Sequence, residues 1–209
     1  MFQLSVVYRQ AIGKDSELQA ALGERVKLQQ GKGRSAALLS VLSEDPAFVT
    51  VFTFPDLAAV DTFAPEVQAD PTFHLFQSKL PGLVRAVPEQ RLSEIVIPLP
   101  QGGTPLRIVR RIVWYPALGK APELRGLLET QVKALNAQGI ATTLLAPLAS
   151  EQGPLFVSAD AYPSLAVFEE GRQKLAADAT MQGFLRNVAP LLRQPASSSF
   201  ATVVVAPSA

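Results

Sequence analysis

Arg110 and Asp160 are the residues whose types and setting most invite chemistry. Each is charged within a stretch otherwise patterned for burial, IVRRIVWY around Arg110 and LFVSADAY around Asp160. A guanidinium anchors an anionic or enolate oxygen, and a carboxylate orients a ligand or accepts a proton. Trp114 and Tyr162, on the same two stretches, are expected as apolar walls of a ligand space. Opposite charges under cover are tolerated only if they meet each other or if a ligand replaces one of them. The alternative is a structural ion pair, or charges splayed to solvent at a sheet end.

Other chemistry is sparse. Gly13-Lys14 and Gly119-Lys120 precede helical patterns, where free backbone N–H groups could hold an anion. A glycine turn with Lys in solvent and Glu17 or Glu123 in the first helical turn explains the same residues. His74 lies between Phe73 and Phe76 and reads as a half-buried histidine more than a general base. With zero Cys and one His, thiol nucleophiles, disulfides, iron-sulfur clusters and most metal sites have no ligands to draw on. No cofactor is expected.

The pairing of Arg110 with Asp160 follows from an internal repeat, and periodicity of this kind must be found before elements are assigned. At an offset of 106, Ala11 to Leu42 overlays Ala117 to Leu148 with 12 identities in 32 positions, among them Gly13, Lys14, Glu17, Leu18, Leu22, Val26 and Gly33. At an offset of 108, Pro46 to Ile97 overlays Pro154 to Val205 with 13 identities in 52. Unrelated segments of this composition would share about 7%. The offset changes only at the hairpin turn after Leu42, where loops accept insertions. On this overlay Leu4 aligns with Arg110 and Phe52 with Asp160, so two apolar residues of one copy face an opposite-charge pair in the other.

Each copy reads as strand, helix, hairpin, helix, strand. Phe2, Leu4, Val6 and Tyr8 alternate with period 2, and residues 108 to 115 repeat the pattern. Leu18, Leu22 and Val26, with Leu124, Leu128 and Val132, follow helical spacing up to Gly33 and Gly139. Strands 34 to 42 and 47 to 54, with 140 to 148 and 155 to 162, form hairpins. A second helical stretch is interrupted near Asp70-Pro71, which reads as an N-cap with Pro at N1. Pro147 predicts an edge for its strand. The fold class expected is α+β, two tandem ferredoxin-like βαββαβ repeats at 1–99 and 106–206, joined by a linker at 100–105. Both helices of such a unit lie on one sheet face, and the other face needs cover, which an eight-stranded pseudo-dimeric α+β barrel supplies.

Nineteen basic and eighteen acidic residues in 209 leave a net charge of +1, with 48% apolar residues. A globular chain without an electrostatic footprint for nucleic acid or an anionic membrane is the reading. The N-terminus lacks the features of a secretory signal and no apolar run spans a bilayer, so a cytoplasmic protein is expected. Its partner would be a small apolar or anionic ligand, and the chain would be a monomer acting as a pseudo-dimer, with higher oligomers open.

This pattern resembles the dimeric α+β barrel superfamily, which includes the antibiotic biosynthesis monooxygenase, NIPSNAP and EthD-like families. The likeness covers nearly the whole chain and includes the GK..E entry into the first helix, at Gly13-Lys14-Glu17 and Gly119-Lys120-Glu123. It implies a ligand cavity between helices and sheet, with functions from cofactor-independent oxygenation through haem degradation to binding alone. The haem branches imply an Asn, Trp and His set, or a His in the C-terminal half. The only His, His74, is in the N-terminal half and aligns with Gln182. The expectation is therefore a small-molecule-binding barrel protein resembling a cofactor-independent monooxygenase. A non-catalytic structural or interaction module with filled cavities is the alternative, and a haem-binding or haem-degrading protein ranks behind both. The Leu4 and Phe52 half is expected to be the filled one.

Overall fold

The structure is a computed structural model that describes residues 1–43, 45–100, 105–148 and 154–207. Most of the expected linker, residues 101–104, lies outside the described residues. Among the described residues, eight strands and six helices follow one another as two βαββαβ series in which the second helical stretch is split in two. The first runs β1 (Phe2–Tyr8), α1 (Asp15–Gly31), β2 (Ser35–Leu42), β3 (Ala47–Phe54), α2 (Leu57–Gln68), α3 (Pro71–Lys79) and β4 (Glu89–Ile97). The second runs β5 (Ile108–Trp114), α4 (Ala121–Ala137), β6 (Ala141–Pro147), β7 (Phe156–Tyr162), α5 (Leu165–Ala177), α6 (Ala179–Val188) and β8 (Ser197–Val205). The hydrogen-bonded order β1-β3-β2-β8-β5-β7-β6-β4 closes on itself, so the fold is an eight-stranded α+β barrel in which the ferredoxin-like order 4-1-3-2 occurs twice.

The chain forms two compact units, Met1–Leu92 with Thr202–Ala209, and Ser93–Ala201. In the first, alternation along β1 and β3 puts Val6, Tyr8, Phe48, Phe52 and Phe54 on the helix-facing side, against Leu18, Leu22 and Val26 of α1. In the second, Trp114, Leu144 and Phe156 meet Leu124, Leu128 and Val132 of α4 and Phe184 and Val188 of α6. Val113, Leu145 and Val157 form a separate cluster on the opposite face of that sheet, as alternation requires.

Local rules set the element ends. Gly33 and Gly139 take φ of +76° and +82°, a region open to glycine at little cost. The chain there donates Gly33 N to Gln30 O and Arg34 N to Gln29 O, and the copy repeats both bonds at Gly139 and Ile140. Asp70 caps α3 by accepting from Thr72 N, with Pro71 at N1, and Asp178 caps α6 by accepting from Thr180 N and Met181 N.

The predicted edge at Pro147 is corrected. Strand β6 pairs with β7 on one side and with β4 on the other, where Ser93 stands opposite Pro147. The proline is tolerated because it is the last residue of β6, while pairing with β7 runs only from Ala141 to Leu145.

Candidate functional site

Strands β5 and β7 are antiparallel neighbours, and their register sets Arg110 directly opposite Asp160. The two side chains meet. Arg110 Nε donates to Asp160 Oδ2 at 2.9 Å, and Nη2 donates to the same oxygen. The Asp160 side chain is 2% exposed and that of Arg110 22%, so the carboxylate is sealed while the guanidinium reaches toward solvent. With both bonds to Asp160 made through Nε and Nη2, Arg110 is fixed in orientation and keeps donor capacity.

Aromatic rings surround this pair. The Arg110 guanidinium lies 5.5 Å from the centroid of the Phe168 ring on α5, within cation–π range. Phe168 makes edge contacts with Tyr162 at 5.2 Å and with Phe200 of β8 at 5.1 Å. Burial pushes the Tyr162 phenol up to about 12; the Asp160 carboxylate adds to the rise and Arg110 opposes it. Tyr162 is therefore a neutral hydroxyl near pH 7, able to donate a hydrogen bond but not to act as a base.

Of the four expected site residues, Arg110, Asp160 and Tyr162 come together. Trp114 lies four residues along β5 from Arg110, about 13 Å at the usual strand rise. Its indole N–H donates to Ser158 Oγ at 3.0 Å and its ring packs edge-on against Phe184, so it walls the α4/α6 end of the same sheet face. Sequence reasoning missed Phe168 and Phe200. The signal for Phe168 was its place one helical turn into α5, opposite an aligned Val60, with no aromatic in the other copy.

The expectation that the Leu4 and Phe52 half is filled does not hold throughout. A cleft of about 250 Å³ opens in the first unit between the ends of β2 and β3 and the face of α2, bordered by Phe52, Phe54 and Phe63 with Arg34, Thr62 and Glu66. Phe63 packs against Phe52 and Phe54 at 5.0 and 5.1 Å, leaving space beside the Arg34–Glu66 ion pair. In the second unit Gly171 occupies the position aligned with Phe63. The Tyr162 ring lies against it: a Cβ there would stand 3.7 Å from Tyr162 Cε1.

The remaining candidates resolve simply. Lys14 pairs with Glu17 at 2.7 Å and Lys120 with Glu123 at 2.8 Å, all four exposed, which is the turn-and-capping reading of both GK..E segments. His74 is exposed on α3 and not half-buried, because α3 turns only Phe73 and Phe76 toward the core. Among the described residues no group of three His, Asp or Glu side chains converges on one point. No helix among them is long and apolar enough to cross a membrane.

No protein-family model matches the chain, and no curated protein matches it. Solved structures do. A candidate monooxygenase from Fusobacterium nucleatum subsp. nucleatum superposes with a TM-score of 0.77 at 10% identity, covering 97% of this chain and 92% of that one. A candidate monooxygenase from Lactobacillus acidophilus NCFM gives 0.68 at 9% identity over 97% and 93%. An anthrone oxidase-like protein gives 0.64 at 14% identity over 97% and 91%. The chain thus has the dimeric α+β barrel fold along nearly its full length.

Proposed function

We propose that the protein binds a small molecule in the second unit, with the ligand's acidic oxygen held by Arg110. One observation carries the reading: a sealed carboxylate, Asp160, fixes a partly exposed guanidinium beneath an aromatic wall. Such a guanidinium is a preorganised receptor for an oxyanion, and Phe168 and Phe200 suit a planar apolar body attached to it. Tyr162, held neutral, is placed to donate a second hydrogen bond. Asp160 orients Arg110.

An enolisable aromatic ketone is the substrate class that such a receptor favours for chemistry without a cofactor, since stabilising its enolate leaves an electron-rich carbon able to react with oxygen. For an anthrone the balance is simple. The methylene carbon becomes a carbonyl, one atom of O2 enters it, and the other leaves as water with the two methylene hydrogens. The names of the structural neighbours supply this choice of probe. The same reading takes the protein as cytoplasmic, with neither nucleic acid nor a membrane as partner, on the ground of its near-neutral charge.

The test uses dithranol, an anthrone whose enolate absorbs at longer wavelength than its keto form. The expected result is a red-shifted band on mixing with protein and oxygen uptake above the spontaneous rate, both reduced at least tenfold in Arg110→Met. Equal behaviour of the variant and the parent chain, or no band at all, removes Arg110 as the anchor.

A further inference from the structure

A second cation lies buried in the other unit, and unlike Arg110 it has no acidic partner. Arg25, in the middle of α1, is 9% exposed. No ion pair or hydrogen bond is formed by its guanidinium among the described residues; it lies over the rings of Phe73 and Phe76 at 4.3 and 5.2 Å. Asp70, the carboxylate whose charge it feels, is engaged by Lys32 at 2.6 Å and by the cap of α3. Buried charges are ordinarily paired, so the missing partner asks for an explanation.

Its neighbours are donors in want of an acceptor. Gln29, one turn along the same face of α1, is fully buried; its Oε1 accepts from Arg34, and its Nε2 has no partner. Thr50 Oγ1, on β3, is buried beside the Tyr8 hydroxyl without a well-formed hydrogen bond. Tyr8 stands beside Thr50 on β1 and within the field of Arg25, its ring edge-on to Phe76.

The copy shows that the fold does not need this polarity. Gln131 stands where Arg25 does and donates to Met181 Sδ, and Leu135 replaces Gln29 as a buried apolar residue. Met181 occupies the position of Phe73.

We propose that the first unit holds a small aromatic carboxylate between α1, α3 and the sheet, with Arg25 as its counter-ion. The carboxylate takes N–H donors from Arg25 and Gln29 and hydroxyl donors from Thr50 and Tyr8, and the ring of the ligand lies with Phe73 and Phe76. These donors are shielded when the unit is empty, so entry displaces α3, which has no buried residue of its own.

Benzoate and its neutral analogue benzyl alcohol serve as probes, titrated calorimetrically into the full chain. Benzoate is expected to bind at least tenfold more tightly than benzyl alcohol, and Arg25→Met to lose at least tenfold in benzoate affinity. The titrations are repeated in an Arg110→Met background, which removes the oxyanion receptor of the second unit; the tenfold loss on adding Arg25→Met is expected to persist there, which separates the two sites, and its disappearance overturns the proposal. Circular dichroism reports whether Arg25→Met folds. If it does not, Gln29→Leu, which copies Leu135, decides: a loss of threefold or more supports the site, and unchanged affinity overturns it. Absence of benzoate binding by the parent chain, or equal binding of the two probes, overturns it as well.

Discussion

At the scale of single residues, the informative positions are those where one copy is charged and the other apolar. Arg110 and Asp160 meet as their alignment with Leu4 and Phe52 suggested, in a layer where Leu4 and Phe52 themselves pack without charge. Removing one partner should be costly and removing both should not. Arg110→Leu leaves a sealed carboxylate unpaired and should lower stability by about 3 kcal/mol. Adding Asp160→Phe, which restores the apolar pair of the first unit, should return stability to within about 1 kcal/mol of the parent. Urea denaturation of the parent, the two single variants and the double variant measures the coupling. Additive losses would mean that the two side chains do not depend on each other. Arg25 was not legible in the same way. Its alignment with Gln131 sets polar against polar, and its burial comes from α3 folding over it.

At the scale of elements, strands, helices and hairpins could be read from period-2 and helical spacing because each has one buried face. The starts of β4 and β8 could not. Glu89, Gln90 and Arg91, and Ser197 to Ser199, carry no apolar alternation, yet both strands begin there, since ladder bonds with neighbouring strands need no apolar side chain. Pro147 misled for the same reason: pairing on both sides is a property of the closed sheet, which local sequence does not contain. Helices α3 and α6 align but differ in anchorage. Phe184 and Val188 of α6 are buried, whereas α3 buries none of its nine residues. Amide exchange of α3 should therefore be at least tenfold faster than that of α6, because local opening uncovers little apolar surface. Hydrogen exchange followed by mass spectrometry resolves the two helices, and equal protection would contradict a loosely held α3.

At the scale of the molecule, the sequence repeats and the compact units divide the chain differently. The sequence overlay of the two halves runs to Ile97 and Val205, but the units change inside β4, between Leu92 and Ser93, and inside β8, between Ala201 and Thr202. The end of β8 therefore completes the first unit. It is the neighbour of β2 in the sheet, Val204 and Val205 pack on the core of that unit, and Val205 comes close enough to α1 that a Cβ at Gly23 would stand 3.9 Å from it. Gln30 of α1 donates to Ala206 O at 2.7 Å, fixing the segment after the strand. Deleting residues 202–209 should thus injure the unit farther away in sequence. Two partly buried valines and a strand's worth of pairing suggest a loss of about 3 kcal/mol. Exchange protection should fall in β2 and α1 of the truncated chain, while α4 and β7 keep theirs. Loss confined to the C-terminal repeat would mean that β8 serves only the copy that encodes it. The expected pattern would instead follow from each repeat supplying the closing strand segment of the other's core.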